Sequence, residues 1–283
     1  MQKVKKGVIP AAGLGTRLCP MSEVQPKEML PIGSRPMIYY TMLEAALSGL
    51  EEMYIVVNER KDSLRRYLEL GELEKDLQEE GEGDRICSPH ISFVDQPAPL
   101  GSGEAIYRTK EMVGEEPFAL MMPDRLLFGS YPALTQMIPV YERFNQDVLG
   151  VLTLGAGEAE GFGNVGILQA TELEQGIVEI HGFSDKSEDP LILKEGETAL
   201  KNAGRSILGP HFFTYLERMR DGIEQWDDTP ALQAMCEERK VIGKVLEGTG
   251  FDVGNPIGYR AANEKGVIPI LLTRNSSANP KSN

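Results

Sequence analysis

Residues 7–31 read GVIPAAGLGTRLCPMSEVQPKEMLP, and the prediction of the fold starts from this stretch. An apolar run over 8–12 predicts a strand, which leads into a glycine-bearing turn that contains Arg17. A second, proline-led turn then brings in Lys27. Glycine lacks a Cβ and accepts positive φ, so backbone N–H groups in such a turn approach phosphate oxygens closely. The stretch therefore predicts a phosphate-binding loop in which two cations neutralise a triphosphate.

The segments that follow predict an α/β fold. Apolar residues at helical spacing over 37–47 predict a helix that stops at Ser48-Gly49, and the run 53–57 predicts a buried strand. Strand, helix and strand form a βαβ unit, which implies a parallel sheet covered by helices. We therefore expect a three-layer, Rossmann-like α/β domain with a mixed, mostly parallel sheet. Further strands are predicted over 91–94, 118–122, 147–154, 164–168, 176–180 and 205–208, and further helices over 61–80, 132–144, 213–222 and 231–240.

Two later loops also follow predicted strands. The loop after 91–94 carries Gln96 and Gly101, and the loop after 118–122 carries Asp124. In open α/β sheets, ligands bind outside the carboxyl ends of the parallel strands. The three strand ends therefore predict one composite cleft.

Composition limits the class of protein. The 283 residues suit one domain, expected over 1–274, with a disordered tail over 275–283. A net charge of -14 disfavours binding to nucleic acid or to an anionic membrane. Three scattered cysteines predict neither disulfides nor a zinc site, which suits the cytoplasm.

Two common nucleotide motifs do not fit the first loop. A Walker loop needs GxxxxGK followed by Ser or Thr, which the chain lacks. A dinucleotide fingerprint needs a third glycine or alanine where Leu18 stands, and an acidic residue where the second strand ends, near Asn58. An oxidoreductase of the dinucleotide-binding class is therefore the weakest alternative.

The motif segments resemble a known family. Residues 12–17, 26–31 and Arg35-Pro36 resemble the signature of the sugar nucleotidyltransferases, most closely the bacterial UTP-glucose-1-phosphate uridylyltransferases. The resemblance implies the fold of nucleotide-diphospho-sugar transferases and the formation of UDP-glucose and pyrophosphate from UTP and glucose 1-phosphate. It covers most of the chain and implies a nucleotide-binding half of about 1–130 and a sugar-phosphate-binding half of about 131–274.

The resemblance also implies roles for residues of this chain. Nucleotide binding is expected of the two loops, through Ala11, Ala12, Gly13, Leu14, Gly15, Thr16, Glu28, Gln96 and Gly101. Catalysis is expected of Arg17, Lys27 and Lys186, and sugar-phosphate binding of Gly163, Asp185 and Lys186. Magnesium, which prefers carboxylate oxygens, is expected on Asp124 and Asp252.

Several motif positions depart from the family. Where the family has Glu-Lys-Pro, this chain has Asp185-Lys186-Ser187. It has Phe162 in place of the family's tyrosine, Arg125 in place of a second aspartate, and Glu104 in place of histidine. These changes leave two alternatives open: the same chemistry with dTTP or another sugar 1-phosphate, and a non-catalytic protein that senses a nucleotide-sugar. We also expect a homo-oligomer.

Overall fold

The computed structural model describes residues 2–79, 88–162, 167–184, 191–220 and 225–265. Several predictions fall outside these ranges. They are the roles of Gly163, Asp185 and Lys186, most of the strand over 164–168, and the tail over 275–283.

Thirteen strands lie within the described ranges. Their bounds are β1 (Lys6–Pro10), β2 (Pro31–Ile32), β3 (Arg35–Pro36), β4 (Glu52–Val57), β5 (His90–Asp95), β6 (Phe118–Met121), β7 (Arg125–Phe128), β8 (Val148–Leu154), β9 (Leu168–Glu174), β10 (Ile177–Phe183), β11 (Ala199–Leu208), β12 (Val241–Val245) and β13 (Thr249–Asp252).

Eleven α-helices accompany them in the same part of the chain. Their bounds are α1 (Met21–Val24), α2 (Met37–Leu47), α3 (Asp62–Glu69), α4 (Glu72–Glu79), α5 (Ser102–Tyr107), α6 (Lys110–Val113), α7 (Ala133–Phe144), α8 (Ala156–Ala159), α9 (Phe212–Arg218), α10 (Thr229–Glu238) and α11 (Pro256–Glu264). Short 3-10 turns at Thr16–Leu18, Lys27–Met29 and Glu160–Phe162 complete the set.

Nine of the described strands form one sheet in the order β5-β4-β1-β6-β11-β8-β12-β10-β9. The first four are parallel to one another, and β11 is antiparallel to both of its neighbours. Of these nine, β10 and β11 run against the other seven. The predicted mixed, mostly parallel sheet is therefore confirmed. β10 pairs antiparallel with β9, Leu168–Glu174, which begins where the strand expected over 164–168 was to end.

Helices cover both faces of this sheet. Ile9 and Ile55 belong to a core that includes side chains of α2, α3 and α7, whereas Val8 and Tyr54 belong to a second core with α5, α9 and α10. Successive residues of a strand point to opposite faces, so β1 and β4 contribute to both cores. The three-layer arrangement expected from the βαβ unit is confirmed.

Two of the differences between the predicted and the observed elements have a local cause in the sequence. The helix expected over 61–80 is two helices, because Gly71 breaks it in the left-handed region at a φ of 76°. The strand expected over 8–12 ends at Pro10, so Ala11 and Ala12 lie beyond it at the start of the loop. Proline has no N–H to donate and glycine accepts positive φ, which makes both residues common boundaries.

A second, two-stranded sheet was not predicted. β7 and β13 pair antiparallel, with Asp252 opposite Arg125 and Thr249 opposite Phe128. Each strand has only four residues, and the two are more than 100 residues apart in the chain. This pairing brings the expected metal residue Asp252 to the loop that follows β6. In the described part of the chain, no helix is both long and apolar enough to cross a membrane.

Candidate active site

The three loops at the strand ends line one cleft of about 710 Å³. It opens beyond β1, β5 and β6, as the position of ligands in parallel sheets predicts. The predicted residues that line it are Ala12, Gly13, Leu14, Thr16, Arg17, Lys27, Gln96, Gly101 and Asp124. Ala11, Gly15 and Glu28 do not line this cleft, but each is next in the chain to a residue that does. Asp252 does not line it either; it contacts Arg125, which does.

Two residues after β4 hold the carbonyl groups of the first loop. Asn58 donates from Nδ2 to the Ala12 carbonyl at 2.5 Å, and Lys61 donates from Nζ to the Gly13 carbonyl at 2.8 Å. Among the described residues, the backbone N–H groups of Gly13, Leu14 and Gly15 have no acceptor. A loop whose carbonyls are already bonded and whose N–H groups are unused has the geometry expected of a site for phosphate oxygens.

Below the loop lies a buried ion pair that sequence reasoning missed. Lys61 Nζ is 2.6 Å from Glu28 Oε2, with the two side chains 3% and 0% exposed. Burial lowers the pKa of Lys61, although the Glu28 carboxylate opposes that shift. Glu28 was expected to bind nucleotide, but it faces this lysine. A lysine and a glutamate 33 residues apart give no local signal of such a pair.

Asp124 binds both cations that the sequence singled out. Its Oδ2 is 2.6 Å from Lys27 Nζ and 3.9 Å from an Arg17 guanidinium nitrogen. Burial alone would raise the pKa of Asp124, but Lys27, Arg125 and Arg17 together hold it well below its usual range. Burial alone would lower the pKa of Lys27. The Asp124 and Glu28 carboxylates outweigh this effect, so the pKa of Lys27 is raised. Both groups are therefore charged at neutral pH.

Asp252 is paired with Arg125 at the back of the cleft. Asp252 Oδ2 is 2.7 Å from an Arg125 guanidinium nitrogen, and its Oδ1 accepts the Gly254 N–H at 3.1 Å. Lys201 is close by: its pKa is lowered to about 8, first by burial and then by Arg125, while Asp252 opposes the shift. The contact between Asp252 and Arg125 does not follow from the sequence, because the register of β7 and β13 decides which residues face each other.

Gly254 lies between the two expected metal ligands. A Cβ at this position would be 2.4 Å from Asp124 Oδ2, and the Gly254 N–H binds the Asp252 carboxylate. The Val253 N–H also donates to the Asp124 carbonyl at 2.9 Å, so the two segments are tied together. Because Gly254 has no side chain, space is left beside the Asp124 and Asp252 carboxylates. Two carboxylates of this kind suit a hard cation such as magnesium. Lys27 and Arg125 neutralise these carboxylates and would compete with the ion.

The second loop forms the other wall. Gln96 is 2% exposed and donates from Nε2 to the Gly101 carbonyl at 3.0 Å and to Glu104 Oε2 at 2.6 Å. Gly101 has a φ of 116°, and a Cβ there would be 2.3 Å from the Trp226 carbonyl oxygen. This position therefore requires glycine. The segment before α10 thus sets the shape of the wall that Gln96 lines.

The far side of the cleft is formed by β10, β11 and the start of α10. Its lining residues include Phe183, Lys201, Asn202, Asp228 and Thr229. Phe183 lies two residues before Asp185 in the chain. The assignment of Gly163, Asp185 and Lys186 to the sugar phosphate stays a prediction, since all three lie outside the described residues.

Comparison with known proteins identifies the family. The model of the family described as Nucleotidyl transferase matches residues 6–266. The UTP-glucose-1-phosphate uridylyltransferase YngB of Bacillus subtilis (strain 168) is 31% identical over 277 residues, which cover 94% of this chain and 91% of that protein.

Two solved structures agree with this result. A UDP-glucose pyrophosphorylase complexed with UDP-glucose has a TM-score of 0.77 at 30% identity, over 93% of this chain and 98% of that chain. A UTP-bound UGPase from Acinetobacter baumannii has a TM-score of 0.74 at 30% identity, over 93% of each chain. The resemblance predicted from the sequence is confirmed: this chain belongs to the nucleotidyl transferase family.

Proposed function

We propose that this protein transfers a uridylyl group from UTP to glucose 1-phosphate and releases pyrophosphate. The observation that carries the proposal is the cleft itself, where an N–H-lined loop and two cations lie opposite a buried glutamine at the ends of neighbouring strands. Relatives whose names or titles specify UTP, glucose 1-phosphate or UDP-glucose supply the substrates.

The chemistry is a displacement at the α-phosphorus. A phosphate oxygen of glucose 1-phosphate attacks the α-phosphorus of UTP and forms the new P–O bond. The bond from the α-phosphorus to the oxygen that bridges to the β-phosphorus breaks, and its electron pair leaves with pyrophosphate. No covalent enzyme intermediate is needed, so the protein contributes positioning and charge neutralisation.

The residues of the chain divide this task. The N–H groups of Gly13, Leu14 and Gly15 bind the triphosphate, and Arg17 and Lys27 neutralise the departing pyrophosphate. Gln96 and Gly101 bind the uracil edge. Lys186 steers the sugar phosphate, and Gly163 and Asp185 contact the sugar; these three roles rest on the family motif alone.

The proposal includes magnesium held by Asp124 and Asp252. When bound, the ion would neutralise charge on the phosphates. Lys27 and Arg125 form ion pairs with the two carboxylates and offset the repulsion between them. Excess chelator is expected to abolish turnover, and undiminished activity in chelator would refute the metal requirement. We also propose that the protein is a homo-oligomer and that it is located in the cytoplasm.

Pyrophosphate release over a matrix of nucleoside triphosphates and sugar 1-phosphates tests the function. We expect the highest kcat/KM with UTP and glucose 1-phosphate. A higher kcat/KM with dTTP or with another sugar 1-phosphate would leave the proposed reaction intact but change the substrate assigned to it. Binding of UDP-glucose without turnover of any pair would overturn the proposal in favour of a non-catalytic sensor.

A further inference from the structure

The side-chain amide of Gln96 is held in one orientation by two acceptors. Its Nε2 donates to the Gly101 carbonyl at 3.0 Å and to Glu104 Oε2 at 2.6 Å. A carbonyl oxygen and a carboxylate oxygen accept hydrogen bonds and have no hydrogen to give. A flip of the amide would place Gln96 Oε1 against both oxygens. The amide nitrogen therefore faces Gly101 and Glu104.

Glu104 is itself held in place as an acceptor. Its Oε1 is 2.6 Å from Arg108 Nε, four residues further along the chain. The Glu104 side chain is buried and its other oxygen binds Gln96. The Arg108 guanidinium has only hydrogens to give, so Glu104 accepts from Arg108 through one oxygen and from Gln96 through the other.

These contacts determine what Gln96 offers to a ligand. Both hydrogens of its amide are used, whereas its Oε1 receives no hydrogen bond from any described residue. Gln96 lines the cleft. A free glutamine both donates and accepts, but this one presents only an acceptor to the cleft.

We propose that Glu104 is a positioning residue that selects the nucleobase by keeping Gln96 an acceptor. The selected class is pyrimidines with an N–H between two carbonyl groups, as in uracil and thymine, whose N3–H donates to Gln96 Oε1. Cytosine has a lone pair at N3, so two acceptors would face each other there. An unmatched buried polar pair corresponds to about 10- to 100-fold in affinity. The inference rests on the proposed function, because it assigns the base to this wall.

The test compares Glu104→Gln with the wild type in kcat/KM for UTP and for CTP. A glutamine at 104 can donate as well as accept, so of the two oxygens that oppose a flip of the Gln96 amide only the Gly101 carbonyl remains. We expect the wild type to prefer UTP at least about tenfold and the variant to prefer it by a smaller factor, mainly through a gain with CTP. The matched control is Glu111→Gln, the same change at an exposed glutamate of α6, and it should keep the wild-type ratio.

The ratio separates positioning from a merely structural role. A structural defect lowers both substrates together and leaves the ratio unchanged, and that result would overturn the proposal. Calorimetric binding of UTP and CTP to the wild type needs no variant and no turnover. Equal affinities would overturn the role of Glu104 even if uridylyl transfer is found. A UTP preference in binding that Glu104→Gln removes would support it even if no turnover is found.

Discussion

Replacement of Lys61 by methionine tests how the phosphate-binding loop is supported. In the wild type, Lys61 Nζ is 2.6 Å from Glu28 Oε2 and 2.8 Å from the Gly13 carbonyl oxygen. Glu28 is fully buried, and its Oε1 has no hydrogen-bond partner among the described residues. Methionine fills a similar volume but leaves the buried Glu28 carboxylate without its ion-pair partner. Lys61→Met should therefore be strongly destabilising.

The magnitude follows from the burial of the pair. Removing one partner of a buried ion pair costs about 3–5 kcal/mol, because the remaining charge is uncompensated. We expect the free energy of unfolding, measured by urea denaturation, to fall by about 4 kcal/mol. The control is Lys240→Met, which removes the exposed partner of Glu179 at 2.9 Å and should cost under about 1 kcal/mol.

A second substitution makes this test specific. Glu28→Gln in the Lys61→Met protein removes the unpaired charge, so we expect it to recover about 2 kcal/mol or more. UTP binding should stay weaker than in the wild type, because the Gly13 carbonyl has lost its donor. If Lys61→Met costs no more than the control, or if Glu28→Gln recovers nothing, the pair does not support the loop as argued.

Three further outcomes are expected. Lys27→Ala should lower kcat by about two orders of magnitude or more, which is the usual loss when one preorganised electrostatic group is removed. A near-normal rate of pyrophosphate release would refute the role assigned to Lys27. Gly101→Ala should weaken UTP binding at least about tenfold, since its Cβ would meet a backbone carbonyl. The control is Gly114→Ala, which should bind UTP normally: Gly114 also has a positive φ, of 65°, but no atom lies within 4 Å of the added Cβ. Burial raises the pKa of Cys236 to about 12. At pH 8, iodoacetamide should therefore modify the exposed Cys19 of the folded protein and leave Cys236 unmodified, which peptide mass spectrometry can measure. Equal labelling of the two cysteines would contradict the buried environment.

The elements near the first loop were predictable because their signals are local. The helix expected over 37–47 is α2, Met37–Leu47, with its end at Ser48 and a left-handed Gly49. Eleven residues give three turns of a helix, enough for the apolar spacing to show. The pairing of β7 with β13 gave no such signal, because four residues carry little periodicity and the partner is distant in the chain.

The candidate site shows the same division. Arg17, Lys27, Gln96 and Asp124 were identified from residue type and from their positions after predicted strands, and the structure brings them to one cleft. Arg125 was noted only as a departure from the family motif. Its contact with Asp252 depends on the strand register, which no local pattern specifies.

The sequence by itself determined the α/β class, the strand-end loops and the residue types that these loops carry, because periodicity, glycine and charge act over a few neighbouring residues. Only the tertiary structure decided the partners of those residues. Lys61 pairs with Glu28 below the loop, and Glu104 orients Gln96 inside the wall. The physical reason is that a buried polar group must find a partner wherever packing places one, and packing joins residues that are far apart in the chain.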